Sequence, residues 1–273
     1  MIKKILITTS SVWAFLGALV FLSSCGGEYA KVLKSTDSNY KLAMANTYFQ
    51  KGDCYKSSPL YDELLKLHKG TAKSERLYFQ LAASHYCEGD YMLASYYFGN
   101  YERNFPRSAR RIEANYYIGK CYEALSPDPE LDQEYTKKAI EHYQSFLSTY
   151  PTSDYDEEVR ASLTDMQDKL LKKEADITLL YLKTEKFKPA IRAINLFLQK
   201  HSDSKYTELM KYKLVKASYG LAIRSVDEKK EARLKNVLIA YQDMKNSFPE
   251  STYFIELDKL KEQTKKEQKH LKN

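Results

Sequence analysis

Apolar, small and aromatic positions recur along this chain in one order, and the first part of that order has helical spacing. An apolar residue is followed at once by a small residue and, three positions later, by an aromatic residue or His. Spacings of three and four residues place side chains on one face of a helix, so each copy predicts the first helix of a helix pair. The copies, of which the last two are weaker, are Met44-Ala45-x-x-Tyr48, Leu81-Ala82-x-x-His85, Ile118-Gly119-x-x-Tyr122, Ile177-Thr178-x-x-Tyr181 and Val215-Lys216-x-x-Tyr219.

A turn and a second helix follow these copies at a regular distance. In Gly89-Asp90-Tyr91 the glycine ends one helix, and the small residue Ala94 lets the next helix pack closely. The same turn recurs at Gly52-Asp53-Cys54 and at Glu185-Lys186-Phe187. Eleven residues beyond each small position stands an aromatic residue or His, and three residues further a Ser or Thr that can cap the next helix. The small positions are Ser57, Ala94, Ala139, Ala190 and Val237, and the hydroxyl positions are Thr71, Ser108, Ser153, Ser204 and Ser251.

These agreements in register predict an all-α fold, a right-handed solenoid of about five tetratricopeptide-like helix pairs with a C-terminal capping helix. The small positions are separated by 37, 45, 51 and 47 residues, somewhat more than the roughly 34 of a plain tetratricopeptide repeat. One helix pair cannot bury its apolar face alone, but a stack of pairs can. We expect N-terminal repeats 1–3 at residues 38–154, and repeats 4–5 with the capping helix at residues 155–273.

Residues 1–24 have the three parts of a secretory signal. Lys3 and Lys4 precede an apolar stretch from Ile5 to Leu22, and the stretch leads into Leu22-Ser23-Ser24-Cys25, which looks like a lipobox. The alternative is a transmembrane anchor with an incidental cysteine, because the apolar stretch is about long enough to span a bilayer.

A lipobox predicts cleavage before Cys25 and a covalent lipid on its thiol. The following residues, 25–37, are then a short lipidated tether, which would reach at most roughly 40 Å when extended. Gly26-Gly27 resembles an outer-membrane address. We therefore expect an outer-membrane protein that is lipid-anchored and faces mainly the periplasm.

Composition favours helix and argues against a nucleic-acid partner. Nine glycines and seven prolines are few for a β-rich or loop-rich chain. Without residues 1–24 the chain has 41 Lys and Arg against 36 Asp and Glu, a net charge of +5, with both signs mixed along the whole length. Such a mixture is typical of solvated helix faces.

Three cysteines remain after lipidation, Cys54, Cys87 and Cys121. An odd number cannot pair completely within one chain in an oxidising compartment. All three stand at core-like positions of helical patterns, so we interpret them as small buried side chains. A Cys87–Cys121 bond is the alternative, and none of the spacings suits zinc or an iron–sulfur cluster.

The histidines and motifs do not predict an enzyme. His68, His85 and His201 stand where other repeats have Tyr or Phe, His142 lies beside the packing residue Tyr143, and His270 is in the tail. The chain has no HExxH, GxSxG, P-loop or GxGxxG motif. We expect no metal and no cofactor other than the covalent lipid.

The first helices of a helix-pair solenoid line one face, which suits an extended peptide segment or a partner's loop. Aromatic side chains flanked by Asn, Arg and Lys offer apolar contact and can bond backbone carbonyls. The alternative for Phe79 and Tyr116 is that they only pack between neighbouring repeats. The residues predicted to face a bound peptide are Asn39, Leu42, Asn46, Phe49, Arg76, Phe79, Tyr86, Tyr116 and Lys120.

The signal, the tether, the five repeats and an aromatic-Pro-x-Ser signature together resemble the BamD family of outer-membrane assembly lipoproteins. The signature reads Phe105-Pro106-Arg107-Ser108, Tyr150-Pro151-Thr152-Ser153 and Phe248-Pro249-Glu250-Ser251. The resemblance covers essentially residues 20–260, although the first and fourth repeats end in His68-Lys69-Gly70-Thr71 and His201-Ser202-Asp203-Ser204. It implies an adaptor of the β-barrel assembly machinery, the BAM complex. In that family the N-terminal repeats are thought to receive segments of unfolded outer-membrane proteins, and the C-terminal repeats dock onto POTRA domains of the barrel subunit BamA.

Two other classes of protein fit the same pattern. One is a tetratricopeptide lipoprotein scaffold for cell-wall or division proteins. The other is a glycan-binding lipoprotein, although the only tryptophan, Trp13, lies in the predicted signal and sugar stacking would depend on Tyr.

Overall fold

The computed structural model of the chain describes residues 24–271, and their side chains from residue 27 onward. Residues 1–23 of the predicted signal and the side chain of the predicted lipidation site Cys25 lie outside this part. Twelve α-helices and no β-strand occupy the described residues. The helices are α1 (Ser24–Lys34), α2 (Ser38–Gln50), α3 (Cys54–Leu67), α4 (Lys73–Glu88), α5 (Tyr91–Asn104), α6 (Arg111–Leu125), α7 (Glu134–Thr149), α8 (Asp156–Lys183), α9 (Phe187–Lys200), α10 (Thr207–Ile223), α11 (Asp227–Ser247) and α12 (Phe254–His270).

The chain divides into two compact units within α8, the first ending at Met166 and the second beginning at Gln167. In unit 1 the pairs α2–α3, α4–α5 and α6–α7 follow one another, and each helix packs against the next. In unit 2 helix α9 packs against α10, α10 against α11, and α12 covers α10 and α11. The predicted all-α fold of successive tetratricopeptide-like pairs is confirmed.

The small positions of the sequence pattern are fully buried, or nearly so, between helices. Ser57, Ala94, Ala139 and Ala190 have no exposed surface, and Val237 is 1% exposed. A small side chain lets a second helix approach the first closely, and a larger one would overpack the contact at a cost of about 1–3 kcal/mol.

The turns inside the repeats have left-handed backbone, as the glycines in the pattern predict. Gly52 and Gly89 have φ angles of 77° and 82° and follow α2 and α4. In unit 2 the same turn is made by Glu185, at φ 56°. A residue with a Cβ is strained there, whereas glycine is not.

Two of the serines that follow the aromatic residues lie two positions before the N-cap residue of the next helix and accept a hydrogen bond from its backbone nitrogen. Ser108 Oγ accepts from the backbone nitrogen of Arg110 at 3.1 Å, and Ser251 Oγ accepts from that of Tyr253 at 3.3 Å. Arg110 and Tyr253 are themselves the N-cap residues of α6 and α12, without a side-chain cap. The serines therefore close the short turn that leads into the helix.

The interpretation of the cysteines was wrong for two of the three. Cys54 and Cys87 form a disulfide, with Cα atoms 5.9 Å apart, and the alternative Cys87–Cys121 bond is not formed. The reason is the order of helices in the stack, since the start of α3 lies beside the end of α4. Cys121 is a free and fully buried thiol, as expected of a small core residue. Burial raises the pKa of the Cys121 thiol to about 12.

The segment predicted as a tether contains a packed helix. In α1, Val32 is fully buried in the first core cluster, and the ring of Tyr29 meets that of Tyr48 edge-on at 5.6 Å. Because a helix rises only about 1.5 Å per residue, the stretch 25–37 reaches about 25 Å rather than the roughly 40 Å of an extended chain. The beginning of the described chain is thus held close to the first repeat.

Candidate functional site

Three of the nine predicted peptide-facing residues lie together on one open groove in unit 1. The groove has a volume of about 310 Å³ and lies between the start of α2, the end of α3 and the start of α4. Leu42, Leu64 and Leu77 supply apolar lining, and the polar atoms come from Asn39 and Arg76, which are exposed. The remaining lining residues are Ser38, His68, Ala72 and Lys73. This Asn39–Leu42–Arg76 groove is the candidate site.

The local sequence holds the groove in shape from both sides. Asp37 caps α2, because its Oδ1 accepts from the backbone nitrogens of Asn39 at 2.8 Å and Tyr40 at 3.2 Å. Asn39 therefore sits in the first turn of a fixed helix. On the other side, the turn after α3 includes Gly70 at φ 77°, which brings α4 back beside α2.

The groove has an excess of positive charge. Among the residues that the structure describes, no carboxylate oxygen lies within 4.0 Å of the side-chain nitrogens of Lys73 or Arg76. Burial raises the pKa of Tyr61, in the core beneath the groove, to about 12. The charge of Arg76 opposes this rise only in part. Tyr61 thus keeps its proton and donates to Asn46 Oδ1 at 2.8 Å.

Asn46 and Phe49 lie on the same helix as the groove but do not line it. Asn46 is engaged by Tyr61, and the ring of Phe49 meets that of Tyr61 edge-on at 6.5 Å. Tyr86, in the second repeat, is half-buried between Tyr91 and Tyr117, at ring distances of 5.3 and 5.1 Å. Burial raises the pKa of Tyr86 to about 12.

Phe79 is a packing residue, which corrects its place among the peptide-facing residues. It is 2% exposed, and the guanidinium of Arg110 covers its ring at 3.4 Å. Arg110 is held in turn by Glu113, with N–O distances of 2.8 and 2.9 Å. On its other sides Phe79 meets Phe98 and Tyr101 at ring distances of 5.4 and 5.3 Å.

Tyr116 and Lys120 belong to a contact between α6 and the start of α8, which also corrects the prediction. Tyr116 is 7% exposed, stacks on Tyr155 at 4.3 Å and donates to Glu158 at 2.6 Å. Lys120 lies 3.0 Å from Glu123 and 3.5 Å from Glu158. Burial, and then the hydrogen bond to Glu158, raise the pKa of Tyr116.

Unit 2 repeats this arrangement, which sequence reasoning missed. Tyr212 stacks on Tyr253 at 4.2 Å and donates to Glu256 at 2.5 Å, and Lys216 lies 2.7 Å from Glu256. The sequence signal is a Tyr and a Glu after the proline signature, as in Tyr155-x-x-Glu158 and Tyr253-x-x-Glu256. We call the two arrangements the unit 1 clamp (Tyr116, Lys120, Tyr155, Glu158) and the unit 2 clamp (Tyr212, Lys216, Tyr253, Glu256).

The groove can bind a peptide segment through apolar contacts and hydrogen bonds. Apolar lining accepts a side chain, the Asn39 amide offers a donor and an acceptor, and Arg76 offers donors to backbone carbonyls. Within residues 24–271 no group of three or more His, Cys, Asp or Glu side chains is arranged to hold a metal ion. None of the described helices is both long and apolar enough to cross a membrane.

Comparison with known proteins identifies the class of this chain. The family model YfiO, described as an outer membrane lipoprotein, matches residues 35–238, about three quarters of the chain. The chain therefore belongs to this family of outer membrane lipoproteins.

Among individual proteins, the chain is similar to the outer membrane protein assembly factor BamD of Caulobacter vibrioides. The two are 21% identical over 210 residues, which cover 77% of this chain and 66% of the Caulobacter protein. The chain thus spans just under two thirds of that relative. The resemblance to the BamD family predicted from the sequence is confirmed.

Two solved structures match most of the chain, at low identity and with low TM-scores. The TPR2AB-domain:pHSP90 complex of yeast Sti1 is 17% identical with a TM-score of 0.41, and the match covers 84% of this chain and 98% of that one. The apo form of RapI is 16% identical with a TM-score of 0.37, covering 94% and 97%.

Proposed function

We propose that the chain is a lipid-anchored adaptor of β-barrel assembly that works on the periplasmic side of the outer membrane. Its N-terminal repeats bind segments of unfolded outer-membrane proteins, and its C-terminal repeats dock onto the POTRA domains of a BamA-like barrel protein. Membership of the outer membrane lipoprotein family and the similarity to the outer membrane protein assembly factor of Caulobacter support this proposal. The adaptor acts by binding and performs no catalytic step.

The observation that carries the proposal is the Asn39–Leu42–Arg76 groove. An extended segment presents side chains on alternate sides, so one apolar side chain can enter the groove while the backbone passes across its edge. Asn39 and Arg76 then bond the backbone, which gives affinity with little sequence preference. The uncompensated charge of Arg76 and Lys73 adds attraction for segments that carry carboxylates.

Site-specific photo-crosslinking in growing cells tests the groove directly. A benzoylphenylalanine at position 39 of the full chain should form adducts with many newly exported barrel proteins. The matched control is the same residue at Tyr55, which is 65% exposed on α3 and outside the groove. Arg76→Glu should lower the adduct yield roughly tenfold, since it removes a charge-assisted hydrogen bond and reverses its charge. Arg107→Glu, at an exposed position outside the groove, should leave the yield unchanged.

Other outcomes would overturn parts of the proposal. Equal adducts at positions 39 and 55 would contradict binding in the groove. If the chain, solubilised from membranes, never brings down a barrel protein with POTRA domains, the docking role fails. Depletion that leaves barrel proteins intact but changes the cell wall would favour a scaffold for cell-wall or division proteins.

The anchor has its own test. Cys25→Ala should prevent lipidation and release the signal-processed chain from washed membranes. A Cys25→Ala chain that remained firmly membrane-bound after signal removal would contradict the proposed lipid anchor.

A further inference from the structure

Unit 2 contains an apolar cavity that shares no residue with the Asn39–Leu42–Arg76 groove. Its volume is about 410 Å³, and it lies between the end of α8, the start of α9, α10 and α12. Cavities of this size ordinarily hold one small ligand. The lining residues are Leu179, Leu182, Lys183, Glu185, Phe187, Lys213, Lys216, Tyr219, Gly220 and Leu260.

The apolar wall of the cavity is built on a close contact between a ring and a glycine. Phe187 lies against Gly220, and a Cβ at position 220 would stand 2.5 Å from ring carbons of Phe187. The guanidinium of Arg224 lies 4.9 Å from the centre of the same ring. The ring is thus held from two sides, which keeps the wall in place.

The mouth of the cavity has more positive than negative charge. Lys183, Lys213 and Lys216 line it, and of the two nearby carboxylates Glu256 pairs with Lys216 at 2.7 Å. The other carboxylate, Glu185, pairs with Arg224 at 2.7 Å. Within residues 24–271 no carboxylate oxygen lies within 4.0 Å of Lys183 Nζ or Lys213 Nζ.

Lys213 lies in an environment that disfavours its own charge. Burial, and then repulsion from Lys216 and Lys183, lower the pKa of Lys213, and the charge of Glu256 opposes them only in part. An anion beside these amines would relieve the repulsion and replace lost hydration. An apolar cavity with unpaired amines at its mouth therefore matches a ligand that has a hydrocarbon body and an anionic end.

We propose that this cavity binds a single-chain anionic amphiphile, with its acyl chain along Leu182, Phe187 and Leu260 and its carboxylate or phosphate at Lys183 and Lys213. One flexible hydrocarbon chain fills an apolar cavity of this size, whereas a single amino-acid side chain would leave much of it empty. The free acid and the lysophospholipid share this chemistry. The inference does not rest on the adaptor role, because it is drawn from the lining and the charge of the cavity alone.

The test uses the mature lipidated protein in nanodiscs of zwitterionic phosphatidylcholine. A twelve-carbon fatty acid with a photoreactive diazirine at its far end is activated, and the labelled peptides are mapped. Label is expected in the peptides that contain Phe187 and Leu260. At equal free concentration in water, competition by saturated fatty acids should strengthen about fourfold per added methylene from octanoate to dodecanoate, as burial of hydrocarbon requires. Dodecanoate and twelve-carbon lysophosphatidylglycerol should compete, and the stronger of the two identifies the head group.

Competitors without net charge and lysine variants test whether Lys183 and Lys213 bind the anionic end of the ligand. Dodecanol and dodecylphosphocholine should compete at least tenfold more weakly than dodecanoate. The double variant Lys183→Gln with Lys213→Gln should lose at least fivefold in label. Its control, Lys188→Gln with Lys235→Gln, removes the same charge from exposed positions outside the cavity and should not.

Three results would overturn the inference. If dodecanol competed as strongly as dodecanoate, the cavity would bind hydrocarbon without recognising an anion. If competition did not depend on chain length, hydrocarbon would not enter the cavity. Displacement of the label by an acidic peptide, without displacement by fatty acids, would assign the cavity to a partner's segment instead. The competition series needs only the unaltered protein, so a variant that fails to fold does not remove the test.

Discussion

Each unit contains one stacked-tyrosine clamp, and the two clamps differ in what surrounds their lysine. In unit 1, Lys120 lies between two carboxylates, 3.0 Å from Glu123 and 3.5 Å from Glu158. In unit 2, Lys216 pairs with one carboxylate, Glu256, at 2.7 Å. The ring stacking and the tyrosine–glutamate hydrogen bond are the same in both.

Two substitutions at equivalent positions account for the difference. Tyr117 and Glu123 of α6 correspond to Lys213 and Tyr219 of α10, at the same spacing from the clamp tyrosine. The exchange adds an amine and removes a carboxylate, so the charge beside the unit 2 clamp is more positive by two. In the unit 1 clamp one lysine faces two glutamates, so the contact has no unpaired amine, whereas its counterpart borders a cavity with unpaired amines. The same fold element therefore serves packing in one unit and offers a binding site in the other.

Unit 1 has a further support that unit 2 lacks, the Cys54–Cys87 disulfide. The bond joins residues separated by 33 positions. Closing a loop of that length stabilises the folded state by roughly 3–4 kcal/mol in the loop-entropy description. Replacing both cysteines by serine should therefore lower the free energy of opening of α3 and α4 by that amount, measured by amide hydrogen exchange, with the amides of α10 and α11 unchanged.

A reductant provides the control for this prediction. It should reproduce the effect in the unaltered protein and add nothing in the Cys54→Ser, Cys87→Ser variant. Equal loss of protection in both units would contradict a support confined to unit 1.

The sequence predicts the helix pairs well because their signals are local or periodic. Burial at Ala94 and Ala139 follows from small residues at a fixed distance before an aromatic residue, and the left-handed turn at Gly89 follows from the glycine itself. Such features depend on residues and spacings within one helix or one turn.

Contacts between helices are harder to predict, because they depend on how far one helix slides along another. Cys54 and Cys87 have no spacing that marks them as partners, and only the stacked order of α3 and α4 brings them together. Phe79 is predicted on the right helix but on the wrong side, since Arg110, the N-cap residue of α6, covers its ring. Asn39 and Arg76 are predicted to face a bound peptide, and both lie on the groove. Their role in binding stays a prediction.

The charge difference between the clamps can be tested by neutralising one glutamate in each unit. Glu256→Gln should cost about 1 kcal/mol of unfolding free energy, because Lys216 loses its only paired carboxylate and Lys213 remains nearby. Glu158→Gln should cost less than about 0.5 kcal/mol, because Lys120 keeps Glu123. Urea unfolding at neutral pH measures both, and equal losses would contradict the comparison.

The contribution of Glu256 to stability should also depend on pH. Hydrogen bonds from Lys216 and Tyr212 lower the pKa of Glu256, so its stabilising contribution is present above the unfolded pKa of about 4.3 and is lost as pH falls through the folded pKa. Between pH 7 and pH 3 the unaltered protein should therefore lose more stability than Glu256→Gln. Glu158→Gln is the matched control and should keep the full acid sensitivity of the unit 2 clamp.

The smallest expected effect concerns the turn before α9, where unit 2 has Glu185 and unit 1 has glycine at both corresponding turns. The φ of 56° at Glu185 costs about 1 kcal/mol for a residue with a Cβ, while its exposed ion pair with Arg224 returns at most about 0.5 kcal/mol. Glu185→Gly should raise the unfolding free energy by about 0.5 kcal/mol, whereas Gly89→Ala in unit 1 should lower it by about 1 kcal/mol.

Glu185→Gly also shows whether Glu185 affects only the stability of the turn or also ligand binding in the cavity. The variant removes one of the two carboxylates near the cavity and frees Arg224, which lies beside the Phe187 wall. If the cavity binds an anionic amphiphile, labelling by the photoreactive fatty acid should rise as the turn becomes more stable, because a competing negative charge is gone. A gain in stability without a gain in labelling would mean that Glu185 does not influence the cavity. A loss of both would mean that the ion pair with Arg224 holds the wall, and the strain at φ 56° would then be the cost of keeping the cavity open.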